Sequence, residues 1–270
     1  MMRRVVVALA MAMVALMGTS CASAPLTGPT HSGGTTTTAP SSTTTTARPS
    51  AFPDLAPYFT AAAATDQKLK AAAQAVNGAI GTSSITISAS TFAAVAAADP
   101  TPASRLIPPG LSRDVLSAVL TVQSDLAARY WAMRGISIAY FPGGPTTIPL
   151  GSGPADYLVK CLGGGSQAAA LFPADLASAE AAALRAPPAV AVDPTSHTAA
   201  DLAIWLQLIT GLNSGCESCG GERVTTLEPI TWHYVAPLYA GGKPFDGDVG
   251  GLLFIAQYTG SGWTIEFNAC

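Results

Sequence analysis

Charged side chains are scarce in this sequence, and neither sign dominates. Lys and Arg number 13 and Asp and Glu 16, so 11% of the 270 residues are charged and the formal net charge is −3. Nucleic-acid-binding domains concentrate Lys and Arg in a patch or stripe, and no such run stands out here. We therefore expect no nucleic-acid partner. Hydrophobic residues make up 49% of the chain, which argues against an intrinsically disordered protein.

Groups that commonly carry catalysis are also few. The chain has three histidines, and His31 lies in a Thr-rich segment that cannot bury a core. Residues 164–168, Gly-Gly-Ser-Gln-Ala, match a nucleophile elbow only partly because its closing glycine is missing. We interpret Ser166 as part of a loop or helix cap. The sequence gives no catalytic residue, cofactor or metal site, and we favour a non-enzymatic protein.

The first 21 residues have the organisation of an export signal. Arg3 and Arg4 form a short positive region, residues 5–17 are apolar, and small residues at 18–20 precede Cys21. An uncharged stretch of ~13 residues is short for a membrane span. The segment resembles the signal peptide of bacterial lipoproteins, although glycine stands three residues before the cysteine, where that pattern prefers leucine. The resemblance implies acylation of Cys21 and a lipid anchor on the extracytoplasmic face of the cell membrane.

Simple secretion is the alternative to lipid anchoring. Ala22-Ser23-Ala24 is an ordinary cleavage motif, although Pro25 directly after it is unfavourable. An uncleaved membrane anchor is a third possibility. Removing the signal takes away two arginines and no acid, so the net charge becomes −5, which is 11 basic minus 16 acidic residues.

Residues 22–51 predict an extended tether between the signal and a single folded domain, residues 52–270. The tether contains two runs of four threonines, at 35–38 and 43–46, with prolines nearby. This composition cannot bury enough apolar surface to fold. We interpret the segment as a spacer that holds the domain away from the membrane.

The remaining cysteines predict two disulfides. Four are left once Cys21 is set aside, and an even number in an oxidising compartment indicates a disulfide framework. We favour pairing Cys216 with Cys219 and Cys161 with Cys270. The long loop closed by the second bridge would contribute about 4 to 5 kcal/mol in the chain-entropy model. Crossed pairings, such as Cys161–Cys216 with Cys219–Cys270, remain open.

The Cys216-x-x-Cys219 spacing also fits a redox pair or half of a zinc site. Redox pairs usually lie at a helix N-terminus, where the helix dipole lowers the thiol pKa. Here the pair follows the predicted C-terminus of a helix, and Glu217 opposes a thiolate. A zinc site needs four ligands, and only His233 with a further cysteine is available to complete it. The structural disulfide is the favoured interpretation.

Hydrophobic periodicity predicts an α+β fold. We predict helices at residues 58–77, 91–98, 112–134, 156–162, 173–185 and 198–212, and strands at 84–88, 136–141, 230–239, 252–258 and 263–268. The favoured arrangement is an alanine-rich helical body with a C-terminal three-stranded antiparallel β-meander. The alternative is a cone-shaped α+β domain, as in nuclear-transport-factor-2-like proteins, with 136–141 as an additional strand.

Two local features refine this prediction. Thr198 with Asp201 fits a capping box for the last helix, and Tyr130 with Trp131 belongs to an apolar helix stripe that we assign to the core. Asp246 and Asp248 fall in a predicted loop, and we favour a turn over a calcium site because no further ligand pattern follows.

Three functions remain open. The favoured one is a membrane-tethered extracytoplasmic module that binds an envelope component, a small apolar ligand or a partner protein. The second is a cell-envelope hydrolase using Glu222, Glu228 or His233 as acid or base. The third is a thiol-disulfide oxidoreductase using Cys216 and Cys219.

Overall fold

Helices occupy the first part of the folded chain and the larger sheet comes last. The computed structural model describes residues 55–139, 147–187, 190–214, 223–233 and 242–268, all within one unit, Ala47–Cys270. Over these ranges the element order runs from helices to an antiparallel sheet. The α+β prediction is confirmed.

Helix α1, Ala56–Gly78, opens the described chain. Pro57 stands in its first turn, where the missing proline N–H leaves no hydrogen bond unmade. Tyr58, Leu69 and Val76 are fully buried at helical spacing, which confirms the helix predicted at 58–77. The Tyr58 hydroxyl donates a hydrogen bond to the carbonyl of Val119 at 3.1 Å.

Short elements connect α1 to the central helix. Strand β1, Ser84–Thr86, pairs antiparallel with β2, Thr147–Pro149, with Ile85 opposite Ile148. Helix α2, Ala89–Ala97, is capped by Ser88, whose side chain accepts from the backbone N–H of Thr91. Helix α3, Thr101–Ser104, follows it. The predicted strand at 84–88 and helix at 91–98 are both present, with slightly different ends.

The central helix, α4, runs over Arg113–Ala139 and is longer than predicted. We expected it to stop at Gly135, but the chain stays helical through residue 139. A Cβ added at Gly135 would lie 3.6 Å from Cys161 Sγ, so this glycine lies at a close helix–helix contact. Residues 136–139 are helical and so do not form the additional strand suggested for the cone-shaped alternative, and residues 140 and 141 of that predicted strand lie outside the described ranges.

Helix α5, Gly153–Arg185, replaces two predicted helices. The sequence predicts a stop at the three consecutive glycines, 163–165, and a new helix that starts at Pro173, yet all four residues lie inside one helix. A Cβ added at Gly165 would approach Ala132 Cβ to 2.9 Å, so the missing side chain lets α5 pack closely on α4. We infer that this tertiary packing offsets a propensity cost of about 1 kcal/mol for each glycine.

Helix α6, His197–Ser214, confirms the amphipathic helix predicted at 198–212. Leu202, Trp205 and Ile209 are buried. The predicted Thr198 cap is wrong: the hydroxyl that accepts from a first-turn N–H, that of Ala199 at 3.3 Å, belongs to Ser196. The helix ends at Ser214, so the Cys-x-x-Cys stretch follows its C-terminus as expected.

The C-terminal sheet has four described strands in the order β3-β4-β5-β6. They are β3, Thr231–Trp232; β4, Pro244–Val249; β5, Leu252–Tyr258; and β6, Trp263–Asn268. Strands β5 and β6 confirm two predictions, and the β5–β6 hairpin closes with Thr259 donating its N–H to the Gly262 carbonyl at 2.9 Å. Strand β3 falls within the predicted 230–239, of which residues 234–240 lie outside the described ranges.

Strand β4 was not predicted, because Asp246-Gly247-Asp248 has the composition of a turn. The sequence pattern missed the role of Gly247: a Cβ there would meet the Phe254 ring at 2.7 Å and the Thr231 carbonyl at 2.4 Å. The glycine therefore makes room for a neighbouring ring, which is a recognised use of glycine within strands.

Candidate functional site

Most of the cysteines on which the predictions rest lie outside the described residues. This holds for Cys21, Cys216, Cys219 and Cys270, and also for Glu222. Cys161 lies on α5 and is fully buried. The lipid anchor and both disulfide pairings therefore stay predictions.

Two residues considered from sequence have ordinary structural roles. The Ser166 hydroxyl lies on α5 and donates to the Leu162 carbonyl at 2.9 Å, so the segment is not the strand-to-helix turn of a nucleophile elbow. Asp248 lies on β4, where its carboxylate is 3.3 Å from Nε2 of His233. No group of three or more His, Cys, Asp or Glu within the described part of the chain could hold a metal ion.

A first cleft, which we call the carboxylate cleft, is lined in part by Glu228, one of the acid–base candidates from the sequence. Its volume is about 330 Å³, and Arg113, Asp201 and Glu228 are among the residues that line it. Burial raises the pKa of Asp201, while the Nε1–H of Trp232 and the charge of His197 oppose that rise. Glu228 is exposed. The structure thus brings two carboxyl groups into one cleft, and His233 is not part of its lining.

A second cleft, the cationic cleft, lies among α1, α4 and α5. It measures about 280 Å³, and its lining includes Lys70 and Arg129. Arg129 is 5% exposed and its Nη1 lies 2.6 Å from Oδ1 of Asp66. Lys70 also pairs with Asp66, at 2.7 Å. Both cations therefore share one carboxylate, so the two positive charges are only partly compensated.

The third and largest of these clefts, the aromatic cleft, has a volume of about 420 Å³. It is bordered by the Asp99–Ser104 segment, the middle of α4, one face of α6 and the start of β6. Three ring residues line it: Tyr130 and Trp131 on α4 and Trp263 on β6. All three are only partly buried, and ligand clefts commonly combine such rings with a few polar groups at this size.

Gln123 gives the aromatic cleft an unsatisfied acceptor. This residue lines the cleft and is 4% exposed. Its Nε2 donates to the Pro100 carbonyl at 3.3 Å, and its Oε1 has no hydrogen-bond partner among the described residues. A buried acceptor without a partner costs roughly 1 to 3 kcal/mol. A buried polar group without a partner needs an explanation, and a ligand donor that enters the adjoining cleft would supply one.

Trp263 is held in place by its surroundings. Its Nε1–H donates to the Pro194 carbonyl at 2.8 Å. Its ring packs against Phe245 and Tyr258, with centroid separations of 5.3 and 5.5 Å. These contacts fix the indole before any ligand arrives, which reduces the entropy lost on binding.

The Trp263 ring also joins the cleft to a cluster of rings on the inner face of the sheet. His197 stacks on Trp232 at 4.2 Å between centroids and meets Phe245 edge-on at 4.3 Å. Trp232 in turn donates its Nε1–H to Asp201 at 3.1 Å. The start of α6 and the sheet are therefore connected through aromatic contacts.

A buried charge cluster fastens the chain after residue 222 to the helical body. Arg223 pairs with Asp125 of α4 at 2.6 Å and with Asp175 of α5. Next to it, the N–H of Val224 donates to Ser124 Oγ at 2.9 Å. Burial, only partly opposed by Arg223, raises the pKa of Asp125 to about 7.

Sequence reasoning missed the aromatic cleft for identifiable reasons. It assigned Tyr130 and Trp131 to the core, where most helix aromatics lie, and it read Trp263 only as part of a strand. Gln123 carried no motif. Tyr130 and Trp131 follow Gln123 at seven- and eight-residue spacing on α4, but Trp263 is distant in sequence, and only the folded chain brings it to the same cleft.

Comparison with known proteins adds no further constraint. No known protein family, curated protein or solved structure matches this chain. No helix within the described ranges is long and apolar enough to cross a membrane.

Proposed function

We propose that this protein is a lipid-anchored extracytoplasmic binding protein whose folded domain takes up a ligand in the aromatic cleft without chemically changing it. The lipoprotein-like signal and the tether support the location. The observation that carries the binding function is the aromatic cleft itself, in which three partly exposed rings accompany a buried amide oxygen that has no partner.

The aromatic cleft is poorly equipped for acid–base catalysis. Asp99 is the one carboxyl group in its described lining, and it already accepts a hydrogen bond from the Thr101 N–H at 2.9 Å. Burial raises the pKa of Tyr130, so the phenol stays protonated near neutral pH. General acid–base catalysis usually needs a group that titrates close to the working pH, and a raised phenol pKa moves Tyr130 away from that range.

A test of the anchor uses the Cys21→Ala variant. The wild-type protein should partition into the membrane fraction and carry the mass of the acyl groups on Cys21, the first residue after signal cleavage. The variant should lose that mass and appear in the soluble extracytoplasmic fraction, and Ser23→Ala, which leaves the cysteine in place, should behave as wild type. A variant that remains in the membrane fraction would contradict the anchor.

The carboxylate cleft supports a second candidate function, an envelope hydrolase. Asp201 has a raised pKa and shares this cleft with Glu228, and pairs of carboxyl groups with different environments often divide acid and base roles. The test is whether the wild-type protein hydrolyses a cell-wall preparation. Activity in the wild type that both Asp201→Asn and Glu228→Gln lack would favour this candidate over pure binding.

The oxidoreductase alternative stays open to a simple measurement. Thiol titration of protein purified without reductant should find no free sulfhydryl groups if the cysteines form structural disulfides. One pair that is reduced near the thioredoxin potential of about −270 mV would favour redox chemistry instead.

A further inference from the structure

We propose that the ligand of the aromatic cleft is a neutral saccharide, recognised through the apolar face of a sugar ring and through its hydroxyl groups. This inference rests on the binding function proposed above and names its ligand class. It follows from three properties of the cleft: its rings, its hydrogen-bonding groups and its charge.

The rings fit one face of a sugar. A pyranose has a face of C–H groups that packs on aromatic rings, whereas its hydroxyl groups point outward around the edge. The cleft offers the partly exposed rings of Tyr130, Trp131 and Trp263. Trp263 is held by the Pro194 carbonyl and by Phe245, so its indole is a fixed platform. Tyr130 and Trp131 meet edge-to-face at 5.4 Å, so their planes present differently oriented surfaces.

The polar groups that line the cleft include both acceptors and donors. Gln123 Oε1 lacks a donor. The hydroxyl of Ser104 already donates to the Thr101 carbonyl at 2.9 Å, and that of Thr210 donates to the Leu206 carbonyl at 3.0 Å, so each keeps lone pairs that can accept. Gln207 and Tyr130 also line the cleft, and an amide or a phenol can donate as well as accept. A ligand with hydroxyl groups, each of which both donates and accepts, matches this lining.

The charge of the cleft lining disfavours anionic ligands. Its described lining contains no Lys, Arg or His, and Asp99 supplies a negative charge. The cationic cleft shows the contrast, because Lys70 and Arg129 line it. An apolar ligand without donors would leave Gln123 unsatisfied, at a cost that a hydroxyl group avoids. A neutral ligand with many hydroxyl groups meets all of these conditions.

The test is a calorimetric titration of the full chain, purified in detergent, with tetrasaccharides of matched length. The neutral probes are cellotetraose, maltotetraose and tetra-N-acetylchitotetraose, and the anionic probe is tetragalacturonate. We expect at least one neutral probe to bind, and tetragalacturonate to bind at least about tenfold more weakly, equivalent to ~1.4 kcal/mol. The absence of binding by every neutral probe at millimolar concentration, or tighter binding of the anion, would overturn the proposal.

Substitutions of residues that line the cleft test whether the saccharide binds there. Trp263→Ala and Gln123→Leu should each lower the affinity for the neutral saccharide about tenfold, ~1.4 kcal/mol. Trp263→Phe should keep most of the wild-type affinity because a ring remains. Ser166→Ala, in the cationic cleft, is the matched control and should bind as wild type. Unchanged affinity in folded Trp263→Ala protein would contradict the site.

Substitution of Asp99 tests the charge of the cleft in a variant that should still fold. Asn caps as well as Asp, so Asp99→Asn should keep its hydrogen bond to Thr101 and remain folded. The variant should reduce the difference in affinity between neutral and anionic tetrasaccharides, and an unchanged difference in affinity would overturn the role given to Asp99.

Two further outcomes separate the proposals from one another. If laurate binds at this cleft and no saccharide does, the saccharide proposal is refuted but the binding function is kept. Retention of Cys21→Ala in membranes would refute the anchor alone.

Discussion

Different kinds of interaction stabilise the helical body and the C-terminal sheet. Burial of apolar side chains stabilises both regions. The helical body adds ion pairs to the buried carboxylates of Asp66 and Asp125, from Arg129 and from Arg223 of the segment after α6. The inner face of the sheet adds ring contacts instead, such as Trp232 with Phe254 at 5.2 Å. The difference teaches that the helical body adds a few specific pairs to its apolar core, whereas the sheet adds many small contributions, and residues of both regions line the aromatic cleft.

The largest expected effect comes from breaking a buried pair in the helical body. Arg129→Ala leaves the buried Asp66 with the partly exposed Lys70 and with a 3.4 Å hydrogen bond from Gln67 Nε2. Removal of one partner of a buried ion pair costs about 3 to 5 kcal/mol. Lys70→Ala is the matched control, because Lys70 is 51% exposed, and should cost less than about 1 kcal/mol. Denaturant unfolding measures both, and equal effects would contradict the asymmetry.

Glycine substitutions compare close packing in the two regions. Gly247→Ala in the sheet and Gly165→Ala in α5 both force a Cβ against a neighbour, and we expect each to destabilise the fold by about 1 to 3 kcal/mol. Gly163→Ala, two residues from Gly165 in the same helix, meets nothing within 4 Å and should stabilise by about 1 kcal/mol. Thermal unfolding would show these opposite signs. A stabilising Gly165→Ala would refute the close approach of α5 to α4.

The Asp125 cluster predicts how stability depends on pH. Its folded pKa, about 7, lies above the ordinary value of 3.8, so between these values the folded state binds more protons than the unfolded chain. The contribution of Asp125 to stability is therefore fully present below pH 3.8 and is lost as the pH rises through about 7. Asp125→Asn should flatten this decline, measured by urea unfolding across that range. An equally steep decline in the variant would assign it to other groups.

The smallest expected effect concerns a single ring contact of the sheet. His197→Ala removes the ring that stacks on Trp232, and we expect a loss of about 0.5 to 1.5 kcal/mol because aromatic pairs contribute on this scale. His197→Phe should retain most of the stability. A loss as large as that of Arg129→Ala would mean that the sheet, too, depends on specific pairs.

The sequence predicted what depends on local periodicity and missed what depends on packing. The buried spacing of Leu69 and Val76 in α1 and the alternation in β6 identified their elements. Gly135, the glycines of α5 and Gly247 have local preferences that oppose the structure they adopt, because distant contacts with Cys161, Ala132 and Phe254 decide their conformation. The aromatic cleft belongs to the second class, since Gln123 and Trp263 meet only in the folded protein.

The most direct test of the central claim is to record the indole N–H signals of ¹⁵N-labelled full chain in detergent while a neutral tetrasaccharide is added. The chain has four tryptophans, of which Trp131 and Trp263 line the aromatic cleft and Trp205 lines the carboxylate cleft. The account predicts that the signals of Trp131 and Trp263 shift with saturation while that of Trp205 stays in place. Shifts confined to Trp205, or no shift with any neutral tetrasaccharide, would contradict it.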